Sequence, residues 1–356
     1  MRGRNVVPLP GRRSVKLSPK PLPPYVYACI DRSILVQPFC RVVVARFARV
    51  VPAEIPANFL TLGSSLCVGL MLVAAVHLHP GGAAAPWCAA LMFGYIIYDH
   101  ADGMHARRTG TSGPLGEYLD HYLDAFNGPI AVVTMFLVAG QQARDSLLLL
   151  VGAITVASAS TMLEQKETRT LYFGLIGPLE GMLLTLGYLL SWCLPHAASF
   201  WFGPTPWPGT WFSTLAWAGL AGSGLTTVAS LWRIGRVPAS FCVYLVSTGA
   251  MLWAIPHLGL AWSWSVLIVS LHGSDYTGRL LGSHLRGTAR PWPDLLAPLA
   301  VGVAWAVPGH APVLAWAVGA YLAGRNLQAT ISNLSAFRQF WRWRNLASAV
   351  IREPRA

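Results

Sequence analysis

Charged residues are scarce in this sequence. Asp, Glu, Lys and Arg make up 11% of its 356 residues, whereas 54% of the residues are hydrophobic. Soluble globular domains carry roughly 25% charged residues, so this chain has less than half of the usual charged surface. The composition excludes an ordinary soluble domain, and the high apolar content excludes a disordered chain.

Cysteine is also sparse, and its spacing shows no metal-binding or redox pattern. The six cysteines are scattered and form no Cys-x-x-Cys pair. Most of them lie inside apolar stretches, where a thiol behaves as a small hydrophobic side chain. A secreted disulfide scaffold and a zinc or redox site are therefore excluded. The first fifty residues also lack the apolar core of a cleavable signal peptide.

Long apolar stretches, by contrast, are abundant. Each has about twenty residues, the length of a helix that crosses a bilayer core. Only helices and closed barrels satisfy every backbone polar group within lipid, and barrel strands would be shorter and alternating. The sequence therefore predicts an all-α polytopic membrane protein with about ten transmembrane helices. The predicted spans are residues 58–79, 84–107, 117–140, 143–163, 177–198, 210–232, 239–257, 259–283, 291–308 and 312–332.

Basic residues are concentrated near both ends of the chain. The 26 Lys and Arg residues outnumber the 14 Asp and Glu residues, which gives a formal net charge of +12. Basic flanks of membrane spans stay in the cytoplasm and attract anionic headgroups. Both termini are therefore predicted to be cytoplasmic, which agrees with an even number of spans. Nucleic acid is not an expected partner, because no aromatic and basic domain exists outside the apolar stretches.

Three segments flank the predicted spans. Residues 1–24 are basic and rich in Pro and Gly, which predicts a flexible N-terminus. Residues 25–55 contain SILVQPFCRVVVARFARVV, where apolar residues and arginines alternate at helical spacing. This pattern predicts an amphipathic helix in the membrane interface, with an ordinary soluble helix as the alternative. Residues 336–356 are predicted to form a basic cytoplasmic tail.

One region interrupts the apolar pattern with four carboxylates. Asp99 and Asp102 end one predicted span, whereas Asp120 and Asp124 begin the next. Spacings of three and four residues place each pair on one face of its helix, and the short connection makes the two helices antiparallel neighbours. Four close carboxylates repel one another unless cations neutralise them. Oxygen ligands suit Mg²⁺ or Mn²⁺ better than Zn²⁺, and a two-metal site suits phosphoryl transfer.

Small and basic residues beside the carboxylates fit a phosphate ligand. Gly103, Ala106 and Gly116 have little or no side chain, so a large ligand could approach the helix backbone there. The guanidinium of Arg107 matches the geometry of a phosphate group. A pyrophosphate bound through metal ions is the simplest ligand that uses all of these features.

The pattern resembles the signature of the CDP-alcohol phosphotransferases. It reads Asp99-x-x-Asp102-Gly103-x-x-Ala106-Arg107, then eight residues, then Gly116-x-x-x-Asp120-x-x-x-Asp124. The surrounding ARRTGTSGPLGEYLDH is similar to the choline/ethanolamine phosphotransferase branch of that family. The resemblance covers the first half of the chain and implies a helical fold with ten spans, commonly dimeric. We expect the catalytic helices within residues 56–232. Beyond about residue 200 hydropathy alone predicts the helices, and it places C-terminal transmembrane helices within residues 233–335.

The resemblance also implies roles for individual residues. Asp99, Asp102, Asp120 and Asp124 would bind two Mg²⁺ ions, with Mn²⁺ as a possible substitute. Glu117 and His121 match the residues that deprotonate the acceptor hydroxyl in this branch, and their spacing of four residues agrees with a pair. Asp124 is the competing base, although a carboxylate bound to metal is a poor one. The residues implied to contact the CDP moiety are Asn58, Thr61, Gly103, Ala106, Arg107 and Gly116.

The implied reaction transfers phosphocholine or phosphoethanolamine from CDP-choline or CDP-ethanolamine to diacylglycerol. The products are phosphatidylcholine or phosphatidylethanolamine and CMP. The implied protein is a multi-pass enzyme of the lipid bilayer whose active site faces the cytoplasm. It would lie in the inner membrane of a bacterium, or in the endoplasmic reticulum or Golgi of a eukaryote. The sequence leaves the choice between choline and ethanolamine open.

Two other functions are compatible with parts of the sequence. A related enzyme could use another alcohol or acceptor, such as inositol. An ion-coupled transporter would also carry carboxylates at membrane depth, but no internal repeat is evident and the Gly-x-x-Ala-Arg element has no role in transport. Several other polar residues are expected to be packing, loop or span-end residues: His100, His105, Glu180, Asp275, Arg279 and His284.

Overall fold

The computed structural model describes residues 22, 24–78, 83–141 and 145–338 and is mostly helical. Most of the predicted flexible N-terminus (1–24) and of the predicted basic tail (336–356) lies outside the described residues. The strands are β1 (Cys29–Asp31) and β2 (Leu171–Phe173). The helices are α1 (Val36–Phe39), α2 (Ala45–Val50), α3 (Ala57–His77), α4 (Ala85–Arg108), α5 (Pro114–Val138), α6 (Asp145–Thr168), α7 (Pro178–Ser191), α8 (Ala197–Trp201), α9 (Trp211–Ile234), α10 (Ala239–Ala254), α11 (Trp262–Arg286), α12 (Leu296–Ala306) and α13 (Ala311–Ala336).

Helices lie within each of the predicted apolar stretches. Within the part of the chain that the structure describes, four helices are long and apolar enough to cross a membrane: α3, α5, α6 and residues Ala239–Leu258, which combine α10 with a 3₁₀ turn. Two others, α7 and α12, have 14 and 11 residues. At 1.5 Å per residue they are only about 21 and 16 Å long, shorter than a bilayer core of about 30 Å. The all-α membrane fold is therefore supported, whereas the number of ten spans remains a prediction.

The predicted amphipathic segment does form helix. A turn of π-helix, Cys40–Val44, joins α1 to α2. Val44 and Ala48 are buried in a cluster with Leu60 of α3 and Ala101 of α4, whereas Val50 on the other side is exposed. The helix thus has an apolar face and leaves further apolar surface uncovered. Its position in the membrane interface stays a prediction.

Helix α11 packs through glycines against three neighbours. A Cβ atom at Gly273 would lie 2.4 Å from Thr155 of α6, and one at Gly278 would lie 2.4 Å from Tyr122 of α5. A Cβ atom at Gly282 would meet the side chain of Asn333 of α13. Real atoms do not approach so closely, so only glycine allows this spacing. The packing places α5, which carries two of the four aspartates of the motif, between the N-terminal helix α3 and the C-terminal helix α11.

The basic ends of several helices lie together at one end of the bundle. Arg233 of α9 pairs with Glu164 of α6, and Arg290 after α11 pairs with Glu167 at 2.6 Å. Arg286 of α11 donates to Ser332 of α13. Positive residues favour the cytoplasmic side of a membrane, so this end is the expected cytoplasmic side, and the orientation stays a prediction.

A two-stranded parallel sheet, which the sequence did not predict, is present at the same end. Cys29 pairs with Leu171, Ile30 with Tyr172 and Asp31 with Phe173. Three-residue strands separated by more than a hundred residues leave no periodicity in a sequence. The sheet ties the segment before α1 to the segment after α6.

Candidate active site

A cavity of about 250 Å³ opens at the end of the bundle where α4 ends and α5 begins. The loop between these helices, the start of α3 and the segment before β1 complete its wall. The lining residues are Tyr25, Tyr27, Pro56, Ala57, Asn58, Thr61, Asp102, Gly103, Ala106, Arg107, Thr111, Ser112, Gly113, Gly116, Glu117, Asp120 and His121. All six residues predicted to contact the CDP moiety are among them.

The four predicted metal ligands lie on the facing helices α4 and α5. Asp102 is buried, and the Thr61 hydroxyl of α3 donates a hydrogen bond of 2.5 Å to its Oδ2 atom. Thr61 therefore contacts a carboxylate of the site in addition to lining the cavity. Asp99 and Asp102 both lie within electrostatic range of Asp120 and Asp124. Asp99 and Asp124 are not among the residues that line the cavity itself.

Two donors hold the carboxylate of Asp124, whereas an oxygen of Asp99 has none within the described part of the chain. Tyr95 and Asn127 donate to Oδ1 of Asp124 at 3.0 and 3.2 Å, and Asn127 also donates to Ser65. Among the described residues, Oδ1 of Asp99 is buried without a hydrogen-bond partner. A buried carboxylate oxygen without a donor is costly unless a cation approaches it.

The side chains of this cluster fit divalent cations. One ligand atom from each of Asp120, His121 and Asp124 lies within 4.8 Å of the others. Carboxylate oxygens dominate the donor set, which favours Mg²⁺ or Mn²⁺. The orphaned oxygen of Asp99 agrees with this chemistry.

Glycines make room at both sides of the cavity. A Cβ atom at Gly103 would lie 3.2 Å from the guanidinium of Arg107, and one at Gly116 would lie 3.4 Å from the amide oxygen of Asn58. Larger residues would push Arg107 or Asn58 into the space that a ligand needs. Arg107 itself is exposed at the rim, where an anionic group can reach it.

Glu117 and His121 both line the cavity. Their spacing predicted a contact between the two side chains, but each has a different neighbour. Glu117 is buried, and its Oε1 atom accepts a hydrogen bond of 2.6 Å from the amide of Gln165 on α6. The nearest carboxylate to the imidazole of His121 is Asp120, at 3.6 Å from Nδ1. Among the described residues, Oε2 of Glu117 and Nε2 of His121 have no hydrogen-bond partner.

Several polar residues that do not occupy fixed positions of the motif make contacts away from the cavity. Glu180 bonds to the segment before α1, and Arg279 pairs with Asp275 at 2.6 Å within α11. Nε2 of His105 bonds to the carbonyl of Ile55 at 2.7 Å. None of these side chains lines the cavity among the described residues.

Several residues of the site were not identified from the sequence, among them Tyr95, Asn127, Gln165, Tyr25 and Tyr27. Tyr95 and Asn127 lie four and three residues from Asp99 and Asp124, so helical spacing alone could have indicated them. Gln165 reaches the site only through the fold, and no sequence signal marks it. Tyr25 and Tyr27 lie in the stretch YVYACIDRS, which resembles the entry region of the choline/ethanolamine branch, but the resemblance gave neither side chain a role. Partial burial and the neighbouring Glu117 carboxylate raise the pKa of Tyr25 above its ordinary value, so its phenol stays protonated.

Residues 54–225 match the family described as CDP-alcohol phosphatidyltransferase. This range contains both motif helices and the whole carboxylate cluster. The match confirms the family resemblance for these residues.

Curated relatives agree with this assignment. An uncharacterised CDP-alcohol phosphatidyltransferase class-I family protein of Schizosaccharomyces pombe is 31% identical over 200 residues, covering 52% of this chain and 50% of the relative. Choline/ethanolaminephosphotransferase 1 of Saccharomyces cerevisiae is 30% identical over 167 residues, covering 45% and 43%. Choline/ethanolaminephosphotransferase 1 of Arabidopsis thaliana is 32% identical over 171 residues, covering 45% and 42%. The chain thus spans about half the length of the curated relatives it matches.

Proposed function

We propose that this protein transfers phosphocholine or phosphoethanolamine from its CDP derivative to the hydroxyl group of diacylglycerol. The products are phosphatidylcholine or phosphatidylethanolamine and CMP. The observation that carries the proposal is that two motif aspartates, Asp102 and Asp120, line one cavity together with Arg107 and Glu117. The names of the yeast and plant relatives support this choice of donor.

The CDP moiety is proposed to lie between α3, the end of α4 and the start of α5. Gly103, Ala106 and Gly116 leave space for it, while Asn58 and Arg107 offer an amide and a guanidinium to its polar groups. Asp99, Asp102, Asp120 and Asp124 would hold two Mg²⁺ ions, or Mn²⁺ ions, whose charge would offset that of the pyrophosphate and of the leaving CMP.

His121 is proposed as the base that accepts the proton of the acceptor hydroxyl. Its Nε2 atom is buried and has no hydrogen-bond partner among the described residues, and His121 lines the cavity, so the acceptor hydroxyl would be the partner of Nε2 when the substrate enters. Glu117 is proposed to assist from the same wall through its free Oε2 atom. Asp124 is the competing candidate, but Tyr95 and Asn127 already donate to it, which suits a fixed anion better than a proton acceptor.

The deprotonated hydroxyl would attack the β-phosphorus of the donor, and the bond from that phosphorus to CMP would break. Diacylglycerol would enter from the bilayer and the soluble donor from the cytoplasm. Both termini and the site are proposed to face the cytoplasm, since the basic helix ends lie on that side of the bundle. A homodimer is part of the same proposal by analogy with the family.

Donor specificity tests the proposal directly. Purified protein in detergent is supplied with diacylglycerol, Mg²⁺ and either CDP-choline or CDP-ethanolamine, and CMP release is measured. CDP-diacylglycerol with inositol serves as the alternative substrate pair. We expect CMP from a CDP-amino alcohol, with loss of the activity on chelation of the metal and in Asp124→Asn.

Asp145→Asn is the matched control, because Asp145 is exposed at the start of α6. It should retain activity. Folded protein that releases no CMP from either CDP-amino alcohol would refute the proposed donor, and activity only with the inositol pair would replace it.

A further inference from the structure

Tyr25 and Tyr27 belong to a segment that lies before the family domain yet lines the cavity. This N-terminal strap comprises residues 24–35 and includes β1. Tyr27 is 42% exposed at the cavity, and Tyr25 is half-buried beside Glu117. The strap therefore supplies one wall of the site proposed to bind the CDP-alcohol.

Little apolar burial holds the outer part of the strap in place. Val26 is 75% exposed and Ile30 is 48% exposed, and all three residues of β1 are exposed. Its position therefore depends largely on hydrogen bonds. Backbone bonds join Leu171 to Ala28 at 2.9 Å and Arg32 to Phe173 at 3.1 Å.

Glu180 adds the side-chain part of this attachment. One carboxylate oxygen, Oε1, accepts hydrogen bonds from the Ser33 hydroxyl and, at 2.9 Å, from the amide of Leu35. The other oxygen, Oε2, accepts from the amide of Gly177 at 2.7 Å. Glu180 thus bridges the first turn of α7 to the end of the strap. Hydrogen bonds to a charged acceptor are roughly twice as strong as neutral ones.

We propose that the N-terminal strap is part of the donor-binding site and that Glu180 is a positioning residue that holds it there. Glu180 acts through Ser33 and Leu35, and it touches neither the cavity nor the motif residues among the described contacts. With the strap in place, the phenols of Tyr25 and Tyr27 face the CDP-alcohol and keep water from that side. The nature of the ligand rests on the proposed function.

Hydrogen exchange and donor affinity test the two parts of the inference together. In Glu180→Ala the amides of residues 28–35 should exchange faster. The Kd for CMP, measured by calorimetry, and the KM for the CDP-alcohol should each rise about tenfold, the equivalent of one charged hydrogen bond. The kcat at saturating donor should stay within about twofold. Glu180→Gln should restore part of the affinity, because its amide oxygen still accepts from Ser33 and Leu35.

Thr185→Ala is the control on the same helix, because its hydroxyl bonds only to the carbonyl of Gly181. Faster exchange of the strap without a change in Kd would refute its role in donor binding. Unchanged exchange and unchanged Kd would refute the role of Glu180. A fall in kcat alone would indicate general damage and would also overturn the inference. Wild-type protein that binds CMP but turns over no CDP-amino alcohol would instead refute the proposed function, and the Kd comparison would still decide the role of the strap.

Discussion

Gln165 provides a test of the proposed catalytic role of Glu117, because it lies outside the motif and bonds to the Glu117 carboxylate. Its amide donates a hydrogen bond of 2.6 Å to Glu117, and both side chains are buried, with exposed fractions of 2% and 7%. Replacing Gln165 with Leu keeps the approximate volume and removes the donor. The Glu117 carboxylate would then lose its fixed orientation and would be buried without its neutral donor.

The size of the effect follows from that single bond. A hydrogen bond to a charged group contributes about 1.5–3 kcal/mol, and each 1.36 kcal/mol corresponds to a factor of ten in rate. If Glu117 acts in the transition state, kcat in Gln165→Leu should fall about 10- to 100-fold. The KM for the donor should change little, because Gln165 does not line the cavity.

CMP release at saturating donor and diacylglycerol measures this prediction, with circular dichroism and detergent size-exclusion chromatography to monitor folding. Gln328→Leu is the matched control, because Gln328 is exposed on α13. Full activity of a folded Gln165→Leu protein would show that the orientation of Glu117 does not matter to the reaction. A rise in the KM for the donor without a change in kcat would indicate that Glu117 helps to bind the donor and does not act in the transition state.

Two further predictions concern the metal site and the packing of the bundle. Thr61→Val removes the hydroxyl that bonds to Asp102, so the Mg²⁺ concentration for half-maximal activity should rise about 10- to 100-fold. A magnesium titration measures it, Thr134→Val is the control, and an unchanged curve would contradict the proposed role of Asp102. Gly278→Ala forces a Cβ atom into the ring of Tyr122, so stability should fall by about 1–3 kcal/mol. Thermal unfolding in detergent measures this effect, and Gly222→Ala is the control because a Cβ atom there meets open space. Equal unfolding midpoints for the two variants would show that α5 and α11 can move apart without loss of stability.

Much of the site could be predicted from the sequence because its chemistry is local. Asp99 and Asp102 are three residues apart on α4, and Asp120 and Asp124 are four apart on α5. Residues at these spacings share a helix face whatever the rest of the chain does. The short connection between the helices then brings the two faces together. The family match over residues 54–225 agrees with this reading.

Hydrogen-bond partners within the site were less predictable. The spacing of Glu117 and His121 indicated a mutual contact, but the carboxylate of Glu117 bonds to Gln165 instead. Thr61 was assigned to the CDP moiety alone, and its hydroxyl also bonds to Asp102. Helical spacing shows which side chains are neighbours on one helix. It does not show which side chains of other helices donate hydrogen bonds to them.

The sequence by itself determined the membrane-protein class, the helices within the apolar stretches and the carboxylate motif, since each depends on composition or on spacing within one or two adjacent helices. Only the tertiary structure decided which distant residues support the cavity from behind its lining. Gln165 is 48 residues from Glu117, and Glu180 is 147 residues from Ser33. Contacts over such separations depend on how the helices pack and how β1 pairs with β2, because backbone periodicity carries no information beyond its own element.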